Sequence, residues 1–345
     1  MKSMIKGMIV FFSVLLISLI ALMIYALVGG TDELPMFGGL INGFDRGRLI
    51  NTQEVDLKDI TDISIKTSSS DVYFMASDSE ELVIKEYTGN KTVKNSFVTS
   101  NKTGSELNIK SDDKVFRSWI VFGSNYGYIE IFIPESYHGS LNIDTDSGDI
   151  YTDVNFELDD YVINTSSGDV NVEEIYAETI LIKTSSGDVC AEVLSGQGKI
   201  ATQSGEVNIL SGTSDMEIST SSGDVQLDDG NGSIKVDTQS GDVTMRNLMG
   251  GAKVKTSSGE IYLSVDQLKS GLDLKSESGD ISCHLAQDEQ FQFQADTISG
   301  DIVTYFDEQL SFNRQGTRAE GTIGDTTDCL ITIKTSSGDI DFLTK

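Results

Sequence analysis

Proline is nearly missing from this chain: Pro35 and Pro134 are the only two in 345 residues. That excludes a proline-rich linker or recognition tail. Histidine is equally scarce. His138 and His284 stand alone, neither in a spacing such as His-Glu-x-x-His that would hold a metal. Three cysteines, Cys190, Cys283 and Cys329, are an odd number with no Cys-x-x-Cys pair, which excludes a disulfide framework and a zinc site. Positive charge is also in short supply. Against 54 Asp and Glu there are 25 Lys and Arg, a net charge of −29. Such a surface repels nucleic acid and anionic headgroups, so no nucleic-acid partner is expected. Its plainest reading is a solvated acidic surface.

Glycine, by contrast, is plentiful at 33 residues, which points to many tight turns. The other conspicuous feature is one long apolar run. Lys2 and Lys6 precede an uncharged stretch from Gly7 to Gly30, and Met8–Val28 within it is almost wholly apolar. This is the length of a membrane-spanning helix. The lysines before it, with Asp32 and Glu33 after it, put the N-terminus in the cytoplasm and the body outside. A cleaved signal peptide would have a shorter apolar region and a small-x-small site, which Tyr25-Ala26-Leu27-Val28 does not supply. The expected organisation is a cytoplasmic stub and transmembrane anchor over 1–30 and a tether over 31–50. A β-rich cap over 51–142 and a repeat domain over 143–345 follow.

The repeat is the strongest signal. Ser-Gly-[Asp/Glu]-[Val/Ile] occurs ten times, with glycines at 148, 168, 187, 205, 223, 241, 259, 279, 300 and 338. Spacings are 18–21 residues except the last, 38, which reads as two periods with a worn copy, Glu320-Gly321-Thr322-Ile323, between. Another worn copy is Ser69-Ser70-Asp71-Val72. On both sides of each glycine, apolar residues alternate with polar ones, as in Met216 and Ile218 before Gly223 and Val225 and Leu227 after it. That is the period of a strand with one buried face. A strand, a glycine corner and a second strand in about 18–21 residues make one coil of a parallel β-solenoid. A sandwich of antiparallel hairpins would give variable turns rather than one tetrapeptide in phase. The fold expected is therefore all-β: a parallel β-solenoid with an irregular β-rich N-terminal cap and one N-terminal transmembrane helix. The glycine is expected to supply a backbone conformation that a Cβ would penalise.

Strand parity sorts the side chains. Thr145, Thr165, Thr184, Thr202, Thr220, Thr238, Thr256, Thr297 and Thr335 fall on the inward parity. The acid after each glycine faces out, giving a row: Asp149, Asp169, Asp188, Glu206, Asp224, Asp242, Glu260, Asp280, Asp301 and Asp339. Cys283 and Cys329 fall inward and Cys190 outward. Residues 51–142 lack the tight period but still alternate, as in Tyr128-Ile129-Glu130-Ile131-Phe132-Ile133. Trp119-Ile120-Val121-Phe122 is read as core of the cap.

The stretch Ile131-Phe132-Ile133-Pro134, then Leu141-Asn142-Ile143-Asp144-Thr145-Asp146-Ser147-Gly148-Asp149-Ile150 and the repeated Thr-x-Ser-Gly-Asp-[Val/Ile], resembles the DUF4097 family of candidate adhesins over roughly residues 60–345. One anchor plus this domain is similar to the LiaG-like arrangement of Gram-positive bacteria. The resemblance implies a cell-envelope role, adhesin-like or linked to envelope stress, and brings no catalytic residues with it. An envelope protein or polymer is the partner class it implies, beside the membrane itself.

No enzyme is expected. The carboxylates are spread one per coil, whereas glycoside hydrolysis needs one particular pair, and neither histidine has nucleophile-elbow neighbours. No catalytic, cofactor or metal residue is assigned. The acidic row could ligate calcium, but the Gly-x-Gly-x-Asp of calcium-binding β-rolls is not reproduced, and turn capping by Asp accounts for it without metal. Threonine arrays that bind ice face water, and these face inward. The expected function is a binding or scaffold module of the envelope, with a passive stalk, a signalling accessory or a calcium-binding solenoid as alternatives. A binding module should carry an aromatic or polar patch. Tyr151, Tyr176, Tyr262 and Tyr305 are its candidates.

Overall fold

A computed structural model describes residues 47–89, 95–111, 127–306, 310–325 and 329–345. The expected anchor, most of the tether and the Trp119–Phe122 segment lie outside them. Among the described residues no helix is long and apolar enough to cross a membrane.

The regular secondary structure described is strand. Before the repeat come β1 (Arg48–Asp56), β2 (Asp62–Lys66), β3 (Asp71–Ser77), β4 (Glu81–Thr88), β5 (Val98–Thr103), β6 (Glu106–Ser111) and β7 (Gly127–Pro134). The repeat is carried by β8 (Ser140–Thr145), β9 (Ile150–Thr165), β10 (Val170–Lys183), β11 (Val189–Ala201), β12 (Val207–Gly212), β13 (Met216–Ser219), β14 (Val225–Asp237), β15 (Val243–Lys255), β16 (Ile261–Lys275) and β17 (Ile281–Leu285). Then follow β18 (Phe291–Asp296), β19 (Ile302–Thr304), β20 (Leu310–Phe312), β21 (Arg318–Ile323), β22 (Leu330–Lys334) and β23 (Ile340–Thr344).

Each Ser-Gly-Asp corner joins a segment of one parallel ladder, the front sheet, to a segment of a second, the back sheet. Strands β9, β10, β11, β14, β15 and β16 run on through the opposite bend, so their first halves serve the back sheet and their second halves the front. Register shifts by one repeat per coil: Val207 faces Val225, Val225 faces Val243 and Val243 faces Ile261. Between the sheets, Ile218, Val225, Leu227, Ile234 and Val236 are at most 1% exposed, and their equivalents continue along the stack. Each such side chain contributes about 1.5–3 kcal/mol when fully buried, but only if a coil lies on either side.

The coils are not stacked in chain order at either end. At the N-terminal end β2 and β3 pair with β8 and β9 on one side and with β6 and β7 on the other. Antiparallel β5, and then β4 with β1, close the two sheets beyond. The C-terminal end repeats the device. The last coil, β22 and β23, lies between β16 and β17 below and β18 and β19 above, although β18 and β19 come first in sequence. Antiparallel β21 and β20 cover β18. Two expectations change accordingly. The worn copy Ser69–Val72 is a true corner, so the stack begins at β2 rather than at residue 143, and the cap is the overlay contributed by β4, β5, β6 and β7 with β1. The worn copy Glu320–Ile323 is no corner at all but part of antiparallel β21.

The corner glycines are explained by contact, not by conformation. None of the ten has a positive φ, contrary to the expectation from sequence. A Cβ built on Gly223 would instead stand 1.8 Å from the carbonyl oxygen of Gly205, one coil earlier, and the other nine meet an equivalent backbone oxygen at 1.9–2.4 Å. The Cβ direction points toward the N-terminal end of the stack, and the equivalent place at the first corner is held by Ser70. The inward threonines do bond to the corner backbone as parity implied. Thr220 Oγ1 accepts the N–H of Gly223 at 3.0 Å, and Thr335 and Thr297 hydroxyls donate to the carbonyls of Gly279 and Gly338, both at 3.0 Å. Cys283 is buried, Cys329 packs partly against the core and Cys190 is exposed.

In the cap, the inward parity of β4 places a carboxylate in the core. Glu86 is fully buried, and its oxygens accept from Asn51 Nδ2, Gln53 Nε2, Ser96 Oγ and the N–H groups of Phe97 and Val98, at 2.6–3.3 Å. A buried charge is tolerated when so fully bonded. It fastens the segment before β5 to β1 and β4.

Candidate functional site

The acidic row runs along the corners as expected, and its carboxylates are engaged. Asp169 N–H donates to Asp149 Oδ1 at 2.9 Å, Asp188 N–H to Asp169 Oδ1 at 2.9 Å, and Asp242 N–H to Asp224 Oδ1 at 2.8 Å. The bond runs between coils, not within the turn. Among the described residues no side-chain bond of this kind reaches the N–H of Asp224 or Asp280, the two that follow a glutamate, Glu206 and Glu260, in the row. At the first step burial pushes the Asp71 carboxyl up, the bonded Asp149 N–H pulls it down, and the charge of Asp149 raises it again. Among the described residues no group of three or more His, Cys, Asp or Glu is placed to hold a metal ion. The geometry gives Asp149, Asp169, Asp188, Asp224, Asp242, Asp280 and Asp339 a structural role as acceptors. Asp242→Ala should therefore lower stability by about 1 kcal/mol, whereas Asp242→Asn, which keeps Oδ1, should not. Thermal melts of the two variants check this.

The back sheet carries the feature that could contact a partner. Tyr73 on β3 and Tyr151 on β9 face each other in register, and their rings stack at 4.6 Å with planes 5° apart. Tyr128 on β7 meets Tyr73 edge-on at 5.6 Å. Tyr87 on β4 stacks on Tyr128 at 4.6 Å and 4°. Beside them Lys85 lies over the ring of Phe132 at 4.1 Å. All four tyrosines are half-buried against one another on the outward parity. Burial first, then Asp149 and Asp71, pushes the Tyr151 hydroxyl up to about 12, and burial raises Tyr73 further still. Both remain neutral donors at ordinary pH. Past Tyr151 the same outward row continues through Asn171, Cys190, Asn208 and Gln226, so a ring cluster runs into a row rich in side-chain amides.

Of the four tyrosines singled out in the sequence, only Tyr151 joins this cluster. Tyr176 is bonded to Glu174 at 3.3 Å on the opposite bend. Tyr262 neighbours His284 at 5.3 Å, and that histidine bonds Ser282 at 3.0 Å. Tyr305 packs on Phe306 at 5.9 Å near the C-terminal overlay. The missed partner Tyr73 was findable: Asp71-Val72-Tyr73 is in phase with Asp149-Ile150-Tyr151. Tyr87 and Tyr128 reach the cluster through the overlay strands, whose placement the repeat does not give.

A parallel β-solenoid with Ser-Gly-Asp corners and overlaid ends is thus the class this chain represents. It belongs to the DUF4097 family: the description Toastrack DUF4097 matches residues 60–246 and 213–342. Among solved structures it is similar to a proposed adhesin from Bacteroides fragilis NCTC 9343, at 12% identity and TM-score 0.37, over 86% of this chain and 97% of that one. A proposed adhesin from Parabacteroides distasonis ATCC 8503 gives 12% and 0.32, with the same two coverages. A proposed cell-adhesion protein from Clostridium sporogenes ATCC 15579 gives 10% and 0.21, over 86% of this chain and 98% of that one. No curated protein matches the chain.

Proposed function

We propose that this protein is a non-catalytic binding module of the cell envelope, held at the membrane by Met8–Val28, and that the Tyr73/Tyr151 cluster is its contact surface. The observation that carries the reading is the ring cluster on an outward sheet face. A passive stalk has no use for stacked aromatics there, whereas rings bring large contact area at little entropic cost. Family membership supports an adhesin-like role. The test is retention of envelope material by the immobilised protein. Tyr73→Ala with Tyr151→Ala should reduce it at least about tenfold, and Tyr→Phe at both positions should largely preserve it. Full retention by the folded Ala variant would leave the stalk reading in its place. Tyr151→Ala alone, at the end of the cluster, serves if the double variant misfolds.

The anchor follows from Lys2 and Lys6 before the apolar run and Asp32 and Glu33 after it. Protease added to intact protoplasts should digest residues 50–345. Their protection would overturn the proposed orientation.

A further inference from the structure

The front sheet carries a local charge opposite to that of the whole chain. On three successive coils, β11, β13 and β14, cations and anions alternate in one outward row. Lys199, Glu217 and Lys235 follow in register, and Glu217 holds the two lysines at 2.8 and 2.6 Å. From β14 onward the alternation fails. Lys235 faces Lys253, Lys255 faces Lys275, and Lys275 faces Lys334. In the two outward rows that these lysines occupy on β14, β15, β16 and β22, five lysines stand with two acids, Asp237 and Asp273. Five minus two leaves +3 on a protein whose net charge is −29.

Neighbouring coils lie about 4.8 Å apart, and like charges facing each other across a sheet are destabilising. The acids relieve this only in part. Asp273 pairs closely with Lys275 at 2.7 Å but loosely with Lys253 at 3.8 Å. Lys334 reaches Asp296 at 3.8 Å, and Lys255 makes no ion pair among the described residues. Next to the lysines the same strands present glycine. Gly251 and Gly271 line an open trough of about 410 Å³ together with Ser270, Thr332, Lys253, Lys275 and the acid Asp273, while Lys255 and Lys334 stand outside its lining.

We infer that this trough and the lysines around it bind a linear polyanion bearing hydroxyl groups, a phosphodiester-linked polyol chain, laid along the stack. Charge complementarity is local: at physiological ionic strength distant carboxylates are screened beyond about 8 Å, and even with the bordering acids Glu217 and Asp296 counted the five lysines outnumber the acids by one. A repeating anion meets a cation on each successive coil. The glycines of the lining admit a thin chain, and its hydroxyls bond to a polyol. No aromatic ring lines the trough, so the stacking that holds single-stranded nucleic acid is missing. Leu330 is the one exposed large apolar side chain in its lining, too little to anchor an acidic peptide.

The experiment titrates the full-length chain, solubilised in a non-ionic detergent, with a short synthetic poly(glycerol phosphate), with poly-L-glutamate of matched length as the second arm. The wild-type chain should bind the first, and binding should weaken steeply as salt is raised, by counterion release. Lys255→Gln with Lys275→Gln and Lys334→Gln should weaken it at least about tenfold. Its melting temperature should change little, because the like-charge contacts removed offset the loss of the Lys275–Asp273 and Lys334–Asp296 pairs. Lys58→Gln with Lys110→Gln, both on the exposed cap, should leave binding intact. Failure of the wild type to bind, or undiminished binding by the triple variant, overturns the inference. Equal affinity for poly-L-glutamate overturns the assigned ligand class. The Tyr73/Tyr151 surface is on the other sheet and enters none of these outcomes.

Discussion

Replacing Gly223 by alanine should cost the stack about 3 kcal/mol or more, and valine should cost more again. The added Cβ would stand 1.8 Å from the carbonyl oxygen of Gly205, less than any non-bonded contact permits. The obstacle is backbone, so no rotamer change relieves it and the two coils must part. Overpacking in a well-filled core costs about 1–3 kcal/mol, and a clash with a hydrogen-bonded ladder lies at or above the top of that range. Because each coil touches only its neighbours, the damage should be local. Hydrogen exchange should show protection lost in β12, β13 and the first half of β14, with the end coils holding. Unchanged protection there would mean that the coils can separate at little cost. Gly104, where a Cβ meets nothing within 4 Å but φ is +64°, is the useful contrast. There the penalty of substitution is conformational alone.

Phe342→Ala should be comparably severe, at about 3–5 kcal/mol, and its consequences should spread outward. The ring is fully buried. It stacks on Phe293 at 4.3 Å and meets Phe291 at 5.5 Å and Phe306 at 5.4 Å, all residues that precede it in sequence yet lie beyond it in the stack. Emptying that site should free β18–β21 along with β23. Deleting residues 329–345 should do so completely, because β16 and β17 would lose their neighbours on one side while β18 and β19 lost the coil they pair with. Limited proteolysis reads this directly. Cleavage should appear between residues 286 and 325, well upstream of the change. Cleavage confined to residues after 329 would contradict the inserted position of the last coil.

Much of this architecture is legible in the residues, for a definite physical reason. A strand with one buried face has a period of two, so Ile218, Val225 and Leu227 announce both the strand and its inner side, and the same parity correctly turns Thr220 inward. What a fixed glycine is for is less legible. The recurrence of glycine at ten corners points to a forbidden Cβ, but the sequence alone does not distinguish a forbidden φ from a neighbour one coil away. The order of coils is hidden more deeply. The 38-residue gap between Gly300 and Gly338 is twice the usual spacing whether or not a coil fills it, and Glu320-Gly321-Thr322-Ile323 has the composition of a worn corner while folding as antiparallel β21. The tyrosine surface is half legible. Tyr73 and Tyr151 share a phase, whereas Tyr87 and Tyr128 arrive on strands whose pairing depends on that hidden order. Glu86 stayed hidden because a buried carboxylate and an exposed one look alike in a list of residues.

The placement of β22 and β23 also sets a clock on how the molecule is made. A sequentially wound stack could grow coil by coil behind the advancing chain. Here Leu330–Thr344 must enter between two pairs of strands, β16 with β17 and β18 with β19, that both leave the ribosome before them. Until then β18 and β19 have nothing to pair with on the side that faces the stack, and the C-terminal third waits open. Closing this part of the stack is therefore an insertion that a chain stopped before Leu330 cannot perform, and such a product would present an unfinished surface to the quality-control proteases.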